Sequence, residues 1–204
     1  MTLDDLDVLL IMPDFASSPK ITAAQKMMEV DLSEAPRINA FPSDRPLHAF
    51  THKFRFTDRT EAIPLEDFFC ERKGKHQAFY VPSWIAELCP VDNIAFGASE
   101  LKVESVAYGT NYDPTDTNKA RLGRYVFLIS QDGQMLVRRV TASATGGGVD
   151  TLTLGEAVDR DFIAGKYFVG FLYCVRMLKD DLSLEFRGAQ NIQCDVGFVE
   201  LMKA

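Results

Sequence analysis

The amino-acid sequence predicts a mainly β fold with one short helix, an α+β class dominated by strands. Apolar and polar residues alternate from Phe50 to Phe56, which is the pattern of a strand with one buried face. Asp132-Gly133 lies between two apolar runs, and this is a strong signal for a tight hairpin. Further strand-like segments recur at regular spacing through the second half, so the pattern favours a sandwich or a barrel.

The composition is that of an ordinary globular protein. The chain has 204 residues, 47% hydrophobic and 25% charged, so one large domain or two small ones can form a core. The net charge of −7 argues against a nucleic-acid or acidic-membrane partner, since phosphate binding needs a clustered basic surface. Only residues 71–76 resemble a basic cluster, and they lie at a predicted helix end, where cations suit the helix dipole. We expect no sequence-specific nucleic-acid binding.

The N-terminal residues show no targeting signal. Residues 1–7 carry three acids and no base, whereas a secretory signal opens with positive charge. The apolar run at residues 8–12 stops at Pro13, far short of the roughly 20 residues that span a bilayer. We expect a soluble chain without a membrane anchor, and a first strand at residues 7–12.

Residues 13–46 are predicted to form an extended arm. Prolines at positions 13, 19, 36, 42 and 46 should prevent regular strand pairing, and one short helical segment is predicted near residues 23–28. The arm is nevertheless too apolar for a solvated linker, since it contains Phe15, Ile21, Met27, Met28, Val30, Leu32, Ile38 and Phe41. We expect it to pack over the β-domain and over a neighbouring subunit.

A strand from Leu47 to Phe56 and a helix follow the arm. In the strand, His52 shares the inward face with the phenylalanines, so we expect a core histidine rather than a ligand or a base. The helix is predicted over residues 62–73, with Pro64 in its first turn and Gly74 as its stop. Its apolar face should pack on the strand and consists of Leu65, Phe68 and Phe69.

The remaining segments are almost wholly β in character. Pro82-Ser83-Trp84 ends the first of them, and Trp84 is predicted to fill the junction with the next part of the chain. An exposed loop is expected at residues 109–121, which are rich in Asn, Asp and Pro. Strands are predicted at residues 77–81, 101–108, 125–130, 134–142, 149–154, 166–177, 182–186 and 191–202.

Motifs for catalysis or nucleotide binding do not occur in the sequence. It contains no phosphate-binding glycine loop, no GxSxG elbow and no HExxH helix. The acid pairs Asp159/Asp161 and Asp180/Asp181 lie in turn-like segments, so we interpret them as solvated turns rather than glycosidase carboxylates. Residues 111–118 lack the glycine and terminal glutamate of a calcium loop. We expect no enzyme, no cofactor, and no catalytic, cofactor-binding or metal-binding residues.

The four cysteines leave two lesser possibilities open. Cys70, Cys89, Cys174 and Cys194 show no CxxC spacing, so reduced thiols are expected. A metal or iron–sulfur site would have to recruit His52 and His76 in space. A small hydrolase could pair Cys70 with either histidine.

One segment resembles a known family. From Phe54 to Trp84 the chain has a strand, an apolar helix, a basic-Gly exit at residues 71–75, and a second strand ending in Pro82-Ser83-Trp84. Near the C-terminus come Tyr173-Cys174-Val175-Arg176, the Asp180-Asp181 turn and a closing strand at residues 196–201. This order resembles the distal-tail and minor tail proteins of long-tailed bacteriophages, which are components of the tail tip or baseplate.

The resemblance implies a division of the chain and a structural role. Residues 1–46 would be an N-terminal strand and arm, and residues 47–92 part of a ring-forming β-sandwich domain. Residues 93–165 would be an inserted, small β-barrel-like domain, and residues 166–204 the strands that complete the fold. The chain would form a six-fold or three-fold ring in the virion, made in the host cytoplasm. Its partners would be itself, the tail tube and the tail-hub or fibre proteins.

A carbohydrate-binding β-sandwich for host-surface recognition is the main alternative. Sugar rings stack on exposed aromatic side chains that are grouped on one face. The candidate platforms for such stacking are Trp84, Tyr108, Tyr112 and Tyr125.

Overall fold

The mainly β class is confirmed. The computed structural model describes residues 2–4, 6–16, 20–24, 28–30, 38–40, 47–112, 124–188 and 191–201. The finer expectation of a sandwich plus a small barrel stays a prediction. The elements are β1 (Thr2–Leu3), β2 (Leu6–Asp7), β3 (Lys20–Ala24), β4 (Met28–Val30), β5 (Ile38–Ala40), β6 (Leu47–Phe56), α1 (Arg59–Glu71), β7 (Phe79–Pro82), β8 (Glu100–Glu104), α2 (Tyr108–Asn111), β9 (Tyr125–Ser130), β10 (Met135–Gly146), β11 (Val149–Leu154), β12 (Tyr167–Met177), β13 (Glu185–Phe186) and β14 (Ile192–Glu200).

The chain divides into two compact units. The first unit contains residues 1–79 and 174–204, and the second contains residues 80–173. The second unit is therefore inserted between the two pieces of the first. The four-segment division with boundaries at residues 46, 92 and 165 remains a prediction.

Among the described residues, neither helix is long and apolar enough to cross a bilayer.

The first unit is an antiparallel sheet covered by one helix. Its strand order is β3-β6-β14 and then residues 174–177 of β12, whose earlier residues belong to the second unit. β6 pairs with β14 from Ala49↔Val199 to Phe56↔Ile192. The alternation predicted for β6 is confirmed, since Phe50, His52, Phe54 and Phe56 are buried and the residues between them are exposed. The His52 ring lies 5.5 Å from the ring of Phe198 on β14. His52 is thus a core histidine, as its position in the alternation indicated.

Helix α1 begins three residues before the predicted start. Asp58 is the N-cap, and its Oδ1 accepts the Glu61 backbone N–H at 3.0 Å. The Glu61 carboxylate in turn accepts the Thr57 N–H at 2.8 Å, so the side chains satisfy backbone donors at the helix start. This reciprocal cap places Arg59, rather than residue 62, as the first helical residue.

The apolar face of α1 packs inside the first unit. Ala62 and Leu65 are fully buried, while Phe68 and Phe69 are half-buried. The Phe68 ring meets Phe79 edge-on, with centroids 5.0 Å apart. The helix ends at Glu71, and Gly74 then adopts a φ of +61° with its N–H donated to the Phe69 carbonyl. That conformation favours glycine, so the predicted stop residue acts as expected.

Two expected elements of the N-terminal region are wrong where the structure describes it. Strand β2 ends at Asp7, so the strand at residues 7–12 is absent except for a single bridge at Val8. The helix at residues 23–28 is replaced by strand at Ala23, Ala24 and Met28, while residues 25–27 lie outside the described ranges.

Regular pairing also occurs within the arm. β3 pairs with β6, and β4 pairs with β5, both antiparallel. Pro13 lies outside these strands and the other four prolines of the arm lie outside the described ranges, so the expectation that the arm lacks regular pairing is wrong for its described residues. Because β3 pairs with β6, part of the arm packs on its own chain as expected. The contact of the arm with a neighbouring subunit stays a prediction.

The second unit is built on the predicted hairpin. Its strand order is β12-β9-β10-β11-β8, and β9 pairs with β10 from Ile129↔Met135 to Tyr125↔Arg139. Gly133 in the turn has a φ of +79°, which suits the Asp-Gly signal. The strand predicted at residues 149–154 is found with those bounds.

Other predicted strands have different bounds. β8 ends at Glu104, and Tyr108 begins the short helix α2 instead of ending a strand. Residues 109–111 of the predicted loop are helical, and residues 113–121 lie outside the described ranges. The strand at residues 182–186 is reduced to Glu185–Phe186. The exposed Leu178 and the Asp180-Asp181 turn precede it, and neither continues the β pattern.

A close approach in the second unit requires glycine at position 170. A Cβ there would overlap the carbonyl oxygen of Ile85 and lie 2.5 Å from Cε1 of Phe127. Phe127 also meets Trp84, with ring centroids 5.6 Å apart, and Trp84 is buried. The predicted space-filling role of Trp84 is therefore carried out inside the core of the second unit.

Replacing Gly170 tests this packing. Gly170→Ala should lower the free energy of unfolding by about 3 kcal/mol, because the methyl group overlaps a backbone carbonyl. Gly146→Ala is the matched control, since a Cβ at Gly146 meets nothing within 4 Å. Urea unfolding of both variants provides the measurement. Equal midpoints for the two variants would contradict the packing described.

Candidate functional site

Among the described residues, the two most exposed large apolar side chains, Phe96 and Phe186, lie on different units. The Phe96 surface of the second unit is formed by residues 91–98 and 158–164. Its most prominent side chains are Phe96, which is 71% exposed, and Ile163, which is 52% exposed. Among the described residues no large apolar side chain is more exposed than Phe96. Exposed apolar side chains that are grouped on one surface are typical of an interaction site.

Backbone hydrogen bonds hold the two segments of the Phe96 surface together. Ile94 and Phe162 are buried and exchange two N–H···O bonds of 2.8 Å. The Asp161 carboxylate accepts the Phe96 N–H at 2.7 Å, and Asn93 Oδ1 accepts the Ala164 N–H at 2.7 Å. The exposed ring is therefore carried on a fixed backbone. Asp161, predicted as a solvated turn acid, also serves this backbone.

The Phe96 surface is acidic. Its two segments contain three carboxylates, Asp92, Asp159 and Asp161, and one guanidinium, Arg160, for a net charge of −2. Arg160 lies 2.8 Å from Asp159, and this hydrogen bond holds the pKa of Asp159 below its usual value. Lys102 on β8 reaches Asp92 at 3.2 Å and leaves the surface acidic.

The Phe186 surface lies on the first unit. It consists of Arg59, Ile63 and Glu66 on α1 and residues 185–187 at β13. Phe186 is 58% exposed and Ile63 41% exposed. Cζ of Arg59 lies 5.8 Å from the centre of the Phe186 ring, within the range of a cation–π contact.

Ion pairs fix the cations of the Phe186 surface. Arg59 donates both terminal nitrogens to Glu66, at 2.6 and 2.7 Å. Residues 59, 63 and 66 share one helix face because they are four and three positions apart. Arg187 donates to Glu185 at 3.0 Å in the same way. Two guanidinium and two carboxylate groups make this surface neutral as a whole.

The aromatic residues proposed for sugar stacking do not form an exposed platform. Trp84, Tyr108 and Tyr125 are buried, with at most 4% of their surface exposed. Tyr112 is half-buried, and its ring lies 4.8 Å from that of Phe171. Burial also raises the pKa of the Tyr108 hydroxyl. These side chains stabilise the second unit and offer no open ring face to a ligand.

The cysteine and histidine candidates are dispersed. Cys70 on α1 and His76 in the following turn are exposed, whereas His52 is buried in β6. They therefore do not share a buried site. Cys194 is buried, and burial, reinforced by Asp195 and Glu66, raises the pKa of its thiol to about 11. Within the described ranges no three His, Cys, Asp or Glu side chains are grouped to hold a metal.

The Asp180-Asp181 turn has a structural role that its sequence did not indicate. The Asp180 carboxylate accepts the Lys75 backbone N–H at 3.1 Å and the Lys75 Nζ at 2.8 Å. Both bonds lower the pKa of Asp180. A Cβ at Gly74 would lie 2.9 Å from Oδ1 of Asp180, so glycine is needed for this approach. Arg72 of the same turn pairs with Asp7 at 2.7 Å, so these cations serve contacts within the unit.

A buried carboxylate organises the entry to α2. Asp150 on β11 is fully buried, and its Oδ2 accepts the backbone N–H groups of Val106 and Tyr108, at 2.8 and 3.0 Å. Oδ1 accepts the hydroxyls of Ser105 and Thr145, at 3.0 and 2.5 Å. Burial alone raises the pKa of Asp150, but these four hydrogen bonds together hold the pKa below its usual value.

Glu87 makes a similar network in the second unit. Its Oε2 accepts the Ser83 hydroxyl and the Phe171 N–H, both at 2.6 Å, and its Oε1 accepts the Tyr173 hydroxyl at 2.8 Å. The network fixes the turn at Trp84, where φ is +58°. The local sequence contains no signal for either carboxylate network, because most of the donors are distant in the chain.

No protein-family model matches the chain, and a search of curated proteins finds no similar sequence.

Replacing Asp150 tests the α2 anchor. Asp150→Asn should lower the free energy of unfolding by about 2 kcal/mol at pH 7, because an amide cannot accept four hydrogen bonds. The folded pKa lies below the ordinary 3.8, so the contribution of Asp150 is complete at neutral pH and declines as the pH falls through the folded pKa. The difference from wild type should therefore shrink in acid.

Chemical denaturation from pH 7 to pH 3 measures this difference. Asp159→Asn is the matched control, since Asp159 is exposed and its replacement should leave the stability nearly unchanged at pH 7. An Asp150→Asn variant as stable as this control would refute the anchoring role.

Proposed function

We propose that the chain is a non-enzymatic structural component of a bacteriophage tail tip or baseplate. It forms a ring at the distal end of the tail tube and links the tube to hub or fibre proteins. The observation that carries the proposal is the contact between the two tail-like parts of the sequence. The basic-Gly turn after α1 is held by Asp180, and β6 pairs with β14 from the C-terminal piece.

This contact supports the proposal because the two parts are separate in the sequence. The resemblance covers the segment from Phe54 to Trp84 and the segment from Tyr173 to Leu201. Most of both segments belongs to the first unit, and the second unit is inserted between them. A compact β unit with an insertion is the organisation that the resemblance implies for a ring-forming tail protein.

The surfaces also suit an assembly role. Phe96 and Phe186 are exposed on fixed backbones, and rigid aromatic side chains are favoured anchors of protein interfaces. A subunit of a closed ring must contact neighbours on two sides, and each unit offers one such surface. The residues considered for sugar stacking are buried or half-buried, which favours the structural role over the carbohydrate-binding alternative.

Mass and position in the particle test the proposed function. Light scattering on the purified protein should give three or six times the chain mass of 22.8 kDa. Cryo-electron microscopy of the phage should show a ring of this chain at the distal end of the tail tube. Absence of the chain from the tail tip would refute the proposed function, whatever the mass in solution.

A further inference from the structure

We infer that the Asp132-Gly133 turn between β9 and β10 is a site of isoaspartate formation, and that Ser130 protects it while the hairpin is folded. The inference is independent of the proposed function. Asp132-Gly133 is the single Asp-Gly pair of the sequence, which contains no Asn-Gly pair. Isoaspartate forms most readily where glycine follows the aspartate, because glycine has no Cβ to hinder ring closure.

The reaction joins the side chain of Asp132 to the next peptide nitrogen. The nitrogen of Gly133 loses its proton and bonds to Cγ of Asp132, and one carboxyl oxygen leaves as water. Water then opens the resulting five-membered ring at one of its two carbonyl groups. Opening at the side-chain carbonyl restores aspartate, whereas opening at the main-chain carbonyl gives isoaspartate, whose backbone is one methylene longer. The reaction needs no reagent other than water.

The turn is accessible for this reaction. Asp132 and Gly133 are both exposed, so water reaches the ring that has to be opened. A Cβ built on Gly133 would meet nothing within 4 Å, so none of the described residues hinders ring closure sterically. Protection therefore has to come from the hydrogen bonds of the turn.

The first protecting bond engages the nitrogen that would attack. The Gly133 N–H donates to the Ser130 carbonyl at 3.0 Å, and Gly133 has a φ of +79° in this turn. Removal of the Gly133 proton would break that bond. The backbone geometry of the closed hairpin thus opposes the first step.

The second protecting bond engages the carboxyl group. The Asp132 carboxylate accepts the Ser130 hydroxyl. This bond, with the backbone N–H groups of Asp132 and Gln134 and the charge of Arg160, lowers the pKa of Asp132. Ring closure proceeds from the neutral carboxyl group, from which water can leave. Stabilising the ionised form therefore slows the reaction at weakly acidic and neutral pH.

Isoaspartate at this position would damage the second unit. β9 and β10 pair directly beside the turn, at Ile129↔Met135. An extra backbone methylene changes the length of a turn whose geometry sets the register of the two strands. Protection by Ser130 thus preserves the hairpin on which the second unit is built.

Two substitutions of Ser130 test the protection. Wild type, Ser130→Ala and the matched control Ser130→Thr are incubated at weakly acidic pH and digested with trypsin. Cleavage after Arg124 and Arg138 releases residues 125–138, in which Asp132 is the only Asp or Asn. Chromatography coupled to mass spectrometry then separates the aspartate form from the isoaspartate form, which has the same mass.

The expected result is a change in the rate of isoaspartate formation. Ser130→Ala should accumulate isoaspartate about fivefold faster than wild type, the factor that corresponds to the loss of one hydrogen bond. Ser130→Thr keeps the hydroxyl group and should match wild type. Asp132→Glu should give no isomer in this peptide, because a longer side chain would have to close a six-membered ring.

Further measurements separate loss of protection from loss of fold. Thermal unfolding shows whether Ser130→Ala stays folded during the incubation. Arg160→Gln removes the nearby positive charge but keeps the Ser130 hydroxyl, so it should raise the rate in the same direction by a smaller factor. Wild type unfolded in urea should form isoaspartate faster than folded wild type at the same pH.

Three results would overturn the inference. These are equal rates in wild type, Ser130→Ala and Arg160→Gln, a folded wild type that isomerises as fast as the unfolded chain, or no isoaspartate at Asp132 even in the unfolded chain. If Ser130→Ala does not fold, Arg160→Gln and the comparison of folded with unfolded wild type decide.

Discussion

Pairing between β6 and β14 is the interaction on which the first unit depends. It aligns Phe50 with Phe198 and Phe56 with Ile192, so both strands present buried side chains to α1. Closing the chain across the whole second unit costs little more than closing a short loop, because loop entropy grows only with the logarithm of length. The long ladder of hydrogen bonds and the shared apolar face offset that cost. An entire unit can therefore be inserted without loss of the first core.

Local signals explain how much of the fold is predictable from the sequence. Alternation identified β6, and Asp132-Gly133 identified the β9–β10 turn, because both depend only on neighbouring residues. Helix α2 was missed because the carboxylate that orders its first turn, Asp150, lies 42 positions after Tyr108. β3 was missed for a similar reason, since its pairing partner β6 lies beyond the prolines of the arm.

Exposure explains why the candidate site was not predictable. Trp84, Tyr108 and Tyr125 were chosen as platforms from residue type alone, and the fold buries all three. Phe96 and Phe186 have the same residue type as core phenylalanines, yet short loops and a two-residue strand leave them outside. Tertiary packing decides which aromatic side chains remain exposed, and periodicity carries no signal for it over such short segments.

The exposed aromatic rings and the acidic charge of the chain have opposite effects on association. An exposed apolar ring favours non-specific association in water, and charges close to the ring oppose such contacts. The carboxylates beside Phe96 and the overall charge of −7 supply repulsion between copies in most orientations. Arg59 and Arg187 beside Phe186 are each bound to a carboxylate, Glu66 and Glu185, so the surroundings of this ring are neutral. The two exposed rings therefore have the same residue type but different electrostatic surroundings, one acidic and one neutral, which their local sequence alone does not reveal.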